Sequence, residues 1–253
     1  MNSPPLFLAD KLGKSFGGIR ALDDVTVEVS RYSLTLLIGP NGSGKTTLLN
    51  IVSGVLEPDA GRLLFKGENI TKLPPYRRYE LGITRTFQIP RLFYSLSVLE
   101  NVLIPWESGI ENPILILTRR SWRKAEHVHI EKAFKLLELL NLDHMWDSPA
   151  YELSGGQMKL LELARALMGN PSLLLLDEPL AGVNPSLAEG IMKHLVYLRN
   201  ELGVTFLMVE HRLDVALRYA TYVYVLHHGR VISEGPPDKV VKDPTVIEAY
   251  LSG

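Results

Sequence analysis

The chain has no cysteine among its 253 residues, which excludes disulfide bonds and every metal site that needs a thiolate ligand. No uninterrupted apolar run approaches the roughly 20 residues that a membrane-spanning helix needs. The N-terminal sequence MNSPPLFLAD lacks a basic start followed by a long apolar core, so we expect no signal peptide. An excess of one charge is also lacking, because 27 lysines and arginines stand against 28 aspartates and glutamates. A broad nucleic-acid-binding face is therefore not predicted.

Hydrophobic residues make up 46% of the chain, which is enough for a full core. Short strands are predicted at both ends of the chain and a mostly helical pattern between them. Strands alternating with helices indicate an α/β fold with a mostly parallel sheet. We expect a single domain, its core at about 1–89 and 171–253 and a helical subdomain at about 90–170. Predicted strands are Leu6–Leu8, Val25–Val29, Leu34–Ile38, Arg62–Phe65, Ile83–Phe87, Leu173–Asp177, Thr205–Val209 and Tyr222–Leu226, and predicted helices are Lys45–Val52, Val98–Ile104, Ala133–Leu140, Gly155–Gly169 and one after Pro185.

A glycine-rich segment, GPNGSGKT at residues 39–46, joins a predicted buried strand to a predicted helix. It fits the phosphate-loop pattern, in which curled backbone N–H groups and a helix N-terminus face phosphate oxygens. Lys45 would reach the β- and γ-phosphates, and the Thr46 hydroxyl would bind Mg²⁺. The alternative is a tight glycine turn with a surface lysine. The predicted nucleotide-binding residues here are Asn41, Gly42, Ser43, Gly44, Lys45, Thr46 and Thr47.

The apolar run LLLL ends in two carboxylates, Asp177 and Glu178. Such a run is typical of a central parallel strand, and ligands gather at the carboxyl ends of these strands. Asp177 would support Mg²⁺ through water, and Glu178 would polarise the water that attacks the γ-phosphate. The alternative is a polar end to a core strand.

A second glycine pair lies in LSGGQ, residues 153–157, ahead of a predicted helix. Ser154 is a favourable N-cap, and an open helix N-terminus attracts anions. An ordinary capped helix is the alternative.

LSGGQ between a phosphate loop and an acidic strand end resembles the signature of the ABC ATPases, and the resemblance covers essentially the whole chain. It implies a P-loop NTPase core, a small antiparallel β subdomain and an inserted helical subdomain. It also implies a head-to-tail dimer that binds ATP and Mg²⁺. One subunit's signature would then contact the γ-phosphate held by Lys45 of the other. The signature residues are Ser154, Gly155, Gly156 and Gln157.

The same resemblance assigns three more residues. Gln88 matches the glutamine that contacts Mg²⁺ and the attacking water. His211 matches the histidine that holds the γ-phosphate and positions Glu178. Phe16 matches the aromatic residue that stacks on adenine. Their alternatives are a loop glutamine, a helix-start histidine and a core aromatic.

The segment AGVNP departs from the general family pattern, because Asn184 stands where aspartate is usual. Together with RTFQ, SVLEN and the C-terminal VIEAYL, it resembles the LivG-type subunits of branched-chain amino acid importers. The implied partners are a second ATPase subunit (a copy or a LivF-like chain), permease subunits and, indirectly, an external binding protein. The implied location is the cytoplasmic face of the membrane. Urea or amide importers and lipopolysaccharide exporters are the alternatives within the family. A DNA-repair or translation ATPase and a nucleotide-dependent regulatory module are the alternatives outside transport.

In the family, the region at Ile89–Asn101 lines a groove for the membrane subunit. Leu92, Phe93, Tyr94 and Leu96 would supply its apolar surface here, and the alternative is an internal core patch. Histidines elsewhere lack a completing set of metal ligands, so we expect them to be solvated. They are His127, His129, His227 and His228.

Overall fold

The structure, a computed structural model, describes residues 4–105 and 119–251. The chain forms two compact units, Met1–Gln88 with Ser172–Gly253, and Ile89–Pro171. No helix within the described ranges is long and apolar enough to cross a bilayer.

A six-stranded sheet forms the centre of the first unit, in the order β10-β9-β3-β8-β7-β6. All neighbouring strands are parallel except the edge pair β9 and β10. Every residue of β3, β7 and β8 is buried, as expected for apolar strands with both faces covered. These strands are β3 (Leu34–Ile38), β6 (Ile83–Arg85), β7 (Leu173–Asp177), β8 (Thr205–Val209), β9 (Tyr222–His227) and β10 (Arg230–Gly235).

A smaller antiparallel sheet has the order β2-β1-β4-β5. Its strands are β1 (Phe7–Phe16), β2 (Ile19–Val29), β4 (Ala60–Phe65) and β5 (Glu68–Asn69). Gly17 and Gly18 form the two-residue turn between β1 and β2, and Gly17 has a φ of 58° that suits glycine in such hairpins. One hydrophobic core joins both sheets to the first helix of the chain.

Helices occupy the connections in the first unit. They are α1 (Lys45–Val52), α2 (Pro75–Glu80), α6 (Pro185–Leu202), α7 (Leu213–Ala216), α8 (Pro237–Val240) and α9 (Pro244–Leu251). The Asn184 side chain accepts a hydrogen bond from Leu187 N at 2.8 Å and so caps the N-terminus of α6. The asparagine that departs from the usual family pattern thus has a local structural use.

The second unit is helical, with α3 (Val98–Leu103), α4 (Arg119–Leu139) and α5 (Gly155–Met168). Ser97 and Glu100 form a capping box at the start of α3. Asn101 is fully buried and donates to the backbone oxygens of Phe93, Leu96 and Ser97, at 2.9, 3.3 and 3.0 Å. This single amide therefore shapes the loop that precedes α3.

Candidate active site

The phosphate-loop segment connects β3 to α1, and its glycines are required by close backbone contacts. A Cβ at Gly39 would lie 2.0 Å from the Leu226 backbone oxygen, and a Cβ at Gly44 would lie 2.5 Å from the Ala21 oxygen. Both glycines also have positive φ, 148° and 106°. No other residue type fits there without moving the backbone. The segment is therefore held between β9 on one side and β2 on the other.

Lys45 begins α1 and is only 6% exposed. Its Nζ donates to the backbone oxygens of Gly39 and Pro40, both at 2.8 Å. Burial lowers the pKa of the Lys45 ammonium, and the charges of Glu178 and Asp177 oppose that shift. The cation is thus partly desolvated inside the curve of the loop, where its attraction for an anion is stronger than in water.

Glu178 follows the last residue of β7 and lies between two other predicted site residues. Gln88 Nε2 donates to Glu178 Oε2 at 2.8 Å, and His211 Nε2 lies 3.1 Å from Glu178 Oε1. The three residues follow β6, β7 and β8, which are neighbours in the sheet. Their meeting point is therefore the carboxyl edge of three adjacent parallel strands, the edge at which such sheets bind ligands.

Asp177 forms a buried ion pair that the sequence did not indicate. Its Oδ2 accepts from Arg85 Nη2 at 2.8 Å, and the two side chains are 10% and 8% exposed. Arg85 Nη1 also donates to Asn50 Oδ1 at 2.7 Å and to Ser53 Oγ at 3.1 Å. The arginine therefore links the acidic end of β7 to the helix that follows the phosphate loop. Buried arginines are uncommon, but nothing in the pattern of β6 identifies the partner.

Most of the predicted phosphate-loop and catalytic residues line one cleft of about 320 Å³. Lys45, Glu178 and His211 line it together with the remaining loop residues Asn41, Gly42, Ser43, Gly44, Thr46 and Thr47. Sequence reasoning missed four other lining residues, Ile19, Arg20, Ala21 and His228. His228 is exposed, as expected, and it reaches the cleft because a Gly229 N to Ser43 O hydrogen bond of 3.0 Å fixes the β9–β10 turn beside the loop.

Phe16 is not among the residues that line this cleft. Its ring is 49% exposed, and Lys14 Nζ lies 5.7 Å from the ring centroid. Phe16 pairs across the hairpin with Ile19, which does line the cleft. The aromatic ring is therefore an exposed neighbour of the cleft and not part of the core.

The signature segment lies in the second unit, at the start of α5. Ser154 Oγ accepts from Gln157 N at 3.3 Å, and Gln157 Oε1 accepts from Ser154 N at 2.9 Å, so the two residues form a capping box. A Cβ at Gly155 would meet nothing within 4 Å. The N-terminus of this 14-residue helix is therefore uncovered at Gly155.

The residues predicted to serve a metal offer oxygen donors, which Mg²⁺ prefers. Thr46 is exposed at the cleft. The Gln88 amide donates to Glu178 through its Nε2, which leaves its oxygen as the atom that can bind a metal. Across the described part of the chain, no three His, Cys, Asp or Glu side chains form a group that could hold a metal alone. The donor set therefore fits a Mg²⁺ that also takes oxygens from a nucleotide and from water.

Comparison with known proteins gives consistent matches. Residues 22–181 match the ABC transporter family, and residues 230–251 match a branched-chain amino acid ATP-binding cassette transporter family. The chain is 49% identical to a probable branched-chain amino acid transport ATP-binding protein LivG of Archaeoglobus fulgidus, covering 95% of this chain and 93% of that protein. A solved ATP-binding cassette of an ABC transporter in its ADP conformation is 44% identical, with a TM-score of 0.86, covering 99% of this chain and 100% of that one. A dimeric ATP-binding cassette bound to ADP and Pi in a post-hydrolysis state is 28% identical, with a TM-score of 0.72, covering 91% and 98%.

Proposed function

The chain belongs to the ABC transporter family as an ATP-binding cassette, and we propose that its ATP hydrolysis powers an importer of branched-chain amino acids. The observation that carries the proposal is the carboxylate of Glu178, held between Gln88 and His211 beside the phosphate loop. The cargo is supported by the match at residues 230–251 and by the transport role in the name of the Archaeoglobus relative.

ATP would bind with its triphosphate in the cleft. The loop N–H groups and the N-terminus of α1 would surround the phosphates, and the Lys45 ammonium would neutralise the β- and γ-phosphates. The exposed ring of Phe16, beside the cleft residue Ile19, would stack on adenine. Bound Mg²⁺ would offset charge on the phosphate oxygens, with Thr46, Gln88 and Asp177 as the residues that hold it, the last through water.

In the proposed hydrolysis, Glu178 polarises a water molecule that attacks the γ-phosphate. His211 and Gln88 each contact one Glu178 oxygen, so they restrict the rotation of the carboxylate. His211 would also donate to the γ-phosphate as charge develops there. The protein's contribution in phosphoryl transfer is largely positioning and electrostatics, and this arrangement supplies both.

A second subunit would complete each site. Ser154, Gly155, Gly156 and Gln157 would contact the γ-phosphate bound by the partner subunit, using the open N-terminus of α5. The dimeric relative supports such pairing. The partner would be a second copy or a LivF-like chain. The core at about 1–89 and 171–253 would hold the nucleotide, and the helical subdomain at about 90–170 would meet the permease at the cytoplasmic face of the membrane.

The proposal is tested with the transporter complex purified from native membranes and reconstituted in lipid with its binding protein. ATP hydrolysis should rise on addition of leucine, isoleucine or valine. Hydrolysis without stimulation would reject this cargo, and urea, amides or lipopolysaccharide would be tried next.

The same complex carrying Glu178→Gln tests the catalytic assignment. It should bind ATP normally and hydrolyse it at least about 100-fold more slowly, because general-base assistance is worth that much or more. Rapid hydrolysis by this variant would remove Glu178 from the mechanism.

A further inference from the structure

Glu210 is a buried carboxylate for which the proposed mechanism has no use. It directly follows β8, precedes His211 and is 1% exposed. Its Oε1 accepts from Leu180 N at 2.6 Å. Its Oε2 accepts from the backbone N of His211 at 2.9 Å and of Arg212 at 3.0 Å. Within the described part of the chain it forms no ion pair, and three backbone N–H groups donate to it.

These contacts join the two chain segments that carry the proposed catalytic pair. Leu180 lies two residues after Glu178, and His211 itself is one of the donors. A second link runs the same way, because Arg212 Nη1 donates to the Val183 backbone oxygen at 2.9 Å. The segment after β7 and the segment after β8 are thus tied together by side chains.

The position of the carboxylate explains why such ties are needed. The β7–β8 ladder ends at the pair Asp177 and Val209, and Glu178 N makes one more bond, to Val209 O at 2.9 Å. Beyond that point Glu178 has a φ of 50°, so the chain turns away from the strand direction. No regular backbone pairing can hold the segments together from there. The Glu210 side chain takes over this role directly behind the site.

We infer that Glu210 is a positioning residue for ATP hydrolysis, which keeps His211 and Glu178 at their 3.1 Å contact through the backbone of both segments. The inference deepens the proposed function and rests on it. A carboxylate suits the task because it has only acceptors for three converging N–H donors. Glutamine would turn one acceptor into an NH₂ group facing those donors. Alanine would leave all three donors without their partner.

The test measures the turnover rate and the ATP dissociation constant for Glu210→Gln in the reconstituted complex. Turnover should fall on the order of 10- to 100-fold, because small displacements of catalytic groups have effects of that size. The ATP dissociation constant should change by less than about twofold, since Glu210 is not among the cleft-lining residues. Unchanged turnover would overturn the inference.

A double-mutant measurement separates positioning from general structural damage. If Glu210 acts through His211 and Glu178, then Glu210→Gln added to a His211→Ala complex should cost less than about threefold in turnover. If Glu210→Gln lowered turnover by the same factor with His211 present and in the His211→Ala complex, the inference would be overturned.

Tyr224→Phe is the matched control, because the Tyr224 hydroxyl also bridges backbone groups, the N and O of Glu28, and does not line the cleft. It should lower the thermal midpoint and leave turnover per folded complex unchanged. If Glu210→Gln behaved like this control, its role would be structural only. Fast hydrolysis by Glu178→Gln would instead remove Glu178 from the mechanism. Absence of ATP hydrolysis by the unchanged complex would refute the proposed function itself, so the failures are distinguished.

Discussion

Glu178 has a backbone conformation that residues other than glycine rarely adopt. Its φ of 50° lies in the left-handed region, which costs on the order of 1–2 kcal/mol for a residue with a Cβ. Two backbone hydrogen bonds fix it there, Glu178 N to Val209 O and Ala181 N to Glu178 O, at 2.9 and 3.1 Å. Strain that is held in place by neighbouring contacts is a common property of functional positions. Here it directs the carboxylate towards Gln88 and His211.

Half-buried His194, on α6, should make stability depend on pH. Burial lowers the pKa of its imidazole from the ordinary 6.5. The unfolded chain therefore binds this proton at a higher pH than the folded chain does. Stability from this group is present above pH 6.5 and is lost as the pH falls through 6.5 towards the folded pKa.

We expect the thermal midpoint to fall as the pH is lowered from about 7.5 to about 5.5, and to fall less in His194→Gln. Thermal unfolding followed by circular dichroism measures both slopes. Equal slopes in the two proteins would contradict this account.

At the residue scale, the sequence predicted residues whose chemistry is carried by a local motif. Lys45 and Glu178 could be predicted in this way, because the phosphate-loop spacing marks Lys45 and the end of an apolar run marks Glu178. Glu210 and Arg85 were not, since their partners Leu180 and Asp177 lie 30 and 92 residues away in sequence. Only the pairing of β7 with its neighbours in the sheet brings these groups together.

Among the elements, α1 depends on a side chain from outside itself. Arg78 on α2 is 1% exposed, and its Nη1 donates to the oxygens of Ile51 and Val52, at 2.6 and 2.8 Å, at the C-terminus of α1. Burial lowers the pKa of the Arg78 guanidinium to about 10, so it remains a cation at neutral pH. A positive charge at this end of a helix is favourable and satisfies carbonyls that have no helical partner.

Arg78→Met should therefore lower the free energy of unfolding by about 3 kcal/mol, because buried carbonyl oxygens lose their donor. Urea unfolding measures the change. Arg77→Met is the matched control, since Arg77 is 57% exposed and contacts Glu80 and the Tyr76 ring at the surface. The control should change stability very little. A similar loss in both variants would show that Arg78 has no special role.

Elements with a simple pattern were predicted closely. The predicted bounds of β3, α1, β7 and β8 are confirmed, because apolar runs and the glycine-rich loop define their ends. The β1–β2 hairpin is much longer than the strands predicted there. Register shifts after Ala9 and Leu12 interrupt the alternation of side chains, so the sequence pattern did not indicate its full length. The helix α2 was not predicted, because its six residues, PYRRYE, have no apolar periodicity.

At the scale of the whole molecule, the chain leaves the first unit at Gln88, the residue that contacts Glu178. The next residues begin the second unit and carry the apolar side chains predicted to meet the permease. Of these, Leu92 is only 8% exposed and is a core residue, which corrects its predicted place on the apolar surface. Phe93 and Tyr94 are 53% and 46% exposed, which keeps them available for a partner. Exposure of this kind could not be read from the sequence, because all of these residues are apolar.

Phe93→Ala should therefore weaken assembly with the permease and leave ATP binding intact. The Phe93 backbone is held by the buried Asn101, so truncation of the ring should preserve the loop. Co-purification of the permease and ATP binding by the same sample are the two measurements. Tyr197→Ala, an aromatic of 48% exposure on α6 in the first unit, is the control and should assemble normally. Normal assembly of Phe93→Ala would place the permease contact elsewhere.

The close contacts at Gly39 and Gly44 have a further consequence for nucleotide binding. Because the backbones of β9 and β2 already hold the phosphate loop in its curled form, the loss of chain entropy that shapes the loop occurs during folding. A nucleotide would meet a preorganised receptor, so most of its interaction energy would appear as affinity. The loop would also keep its shape up to the temperature at which β9 and β2 themselves separate, so binding competence and the global fold should be lost together on heating.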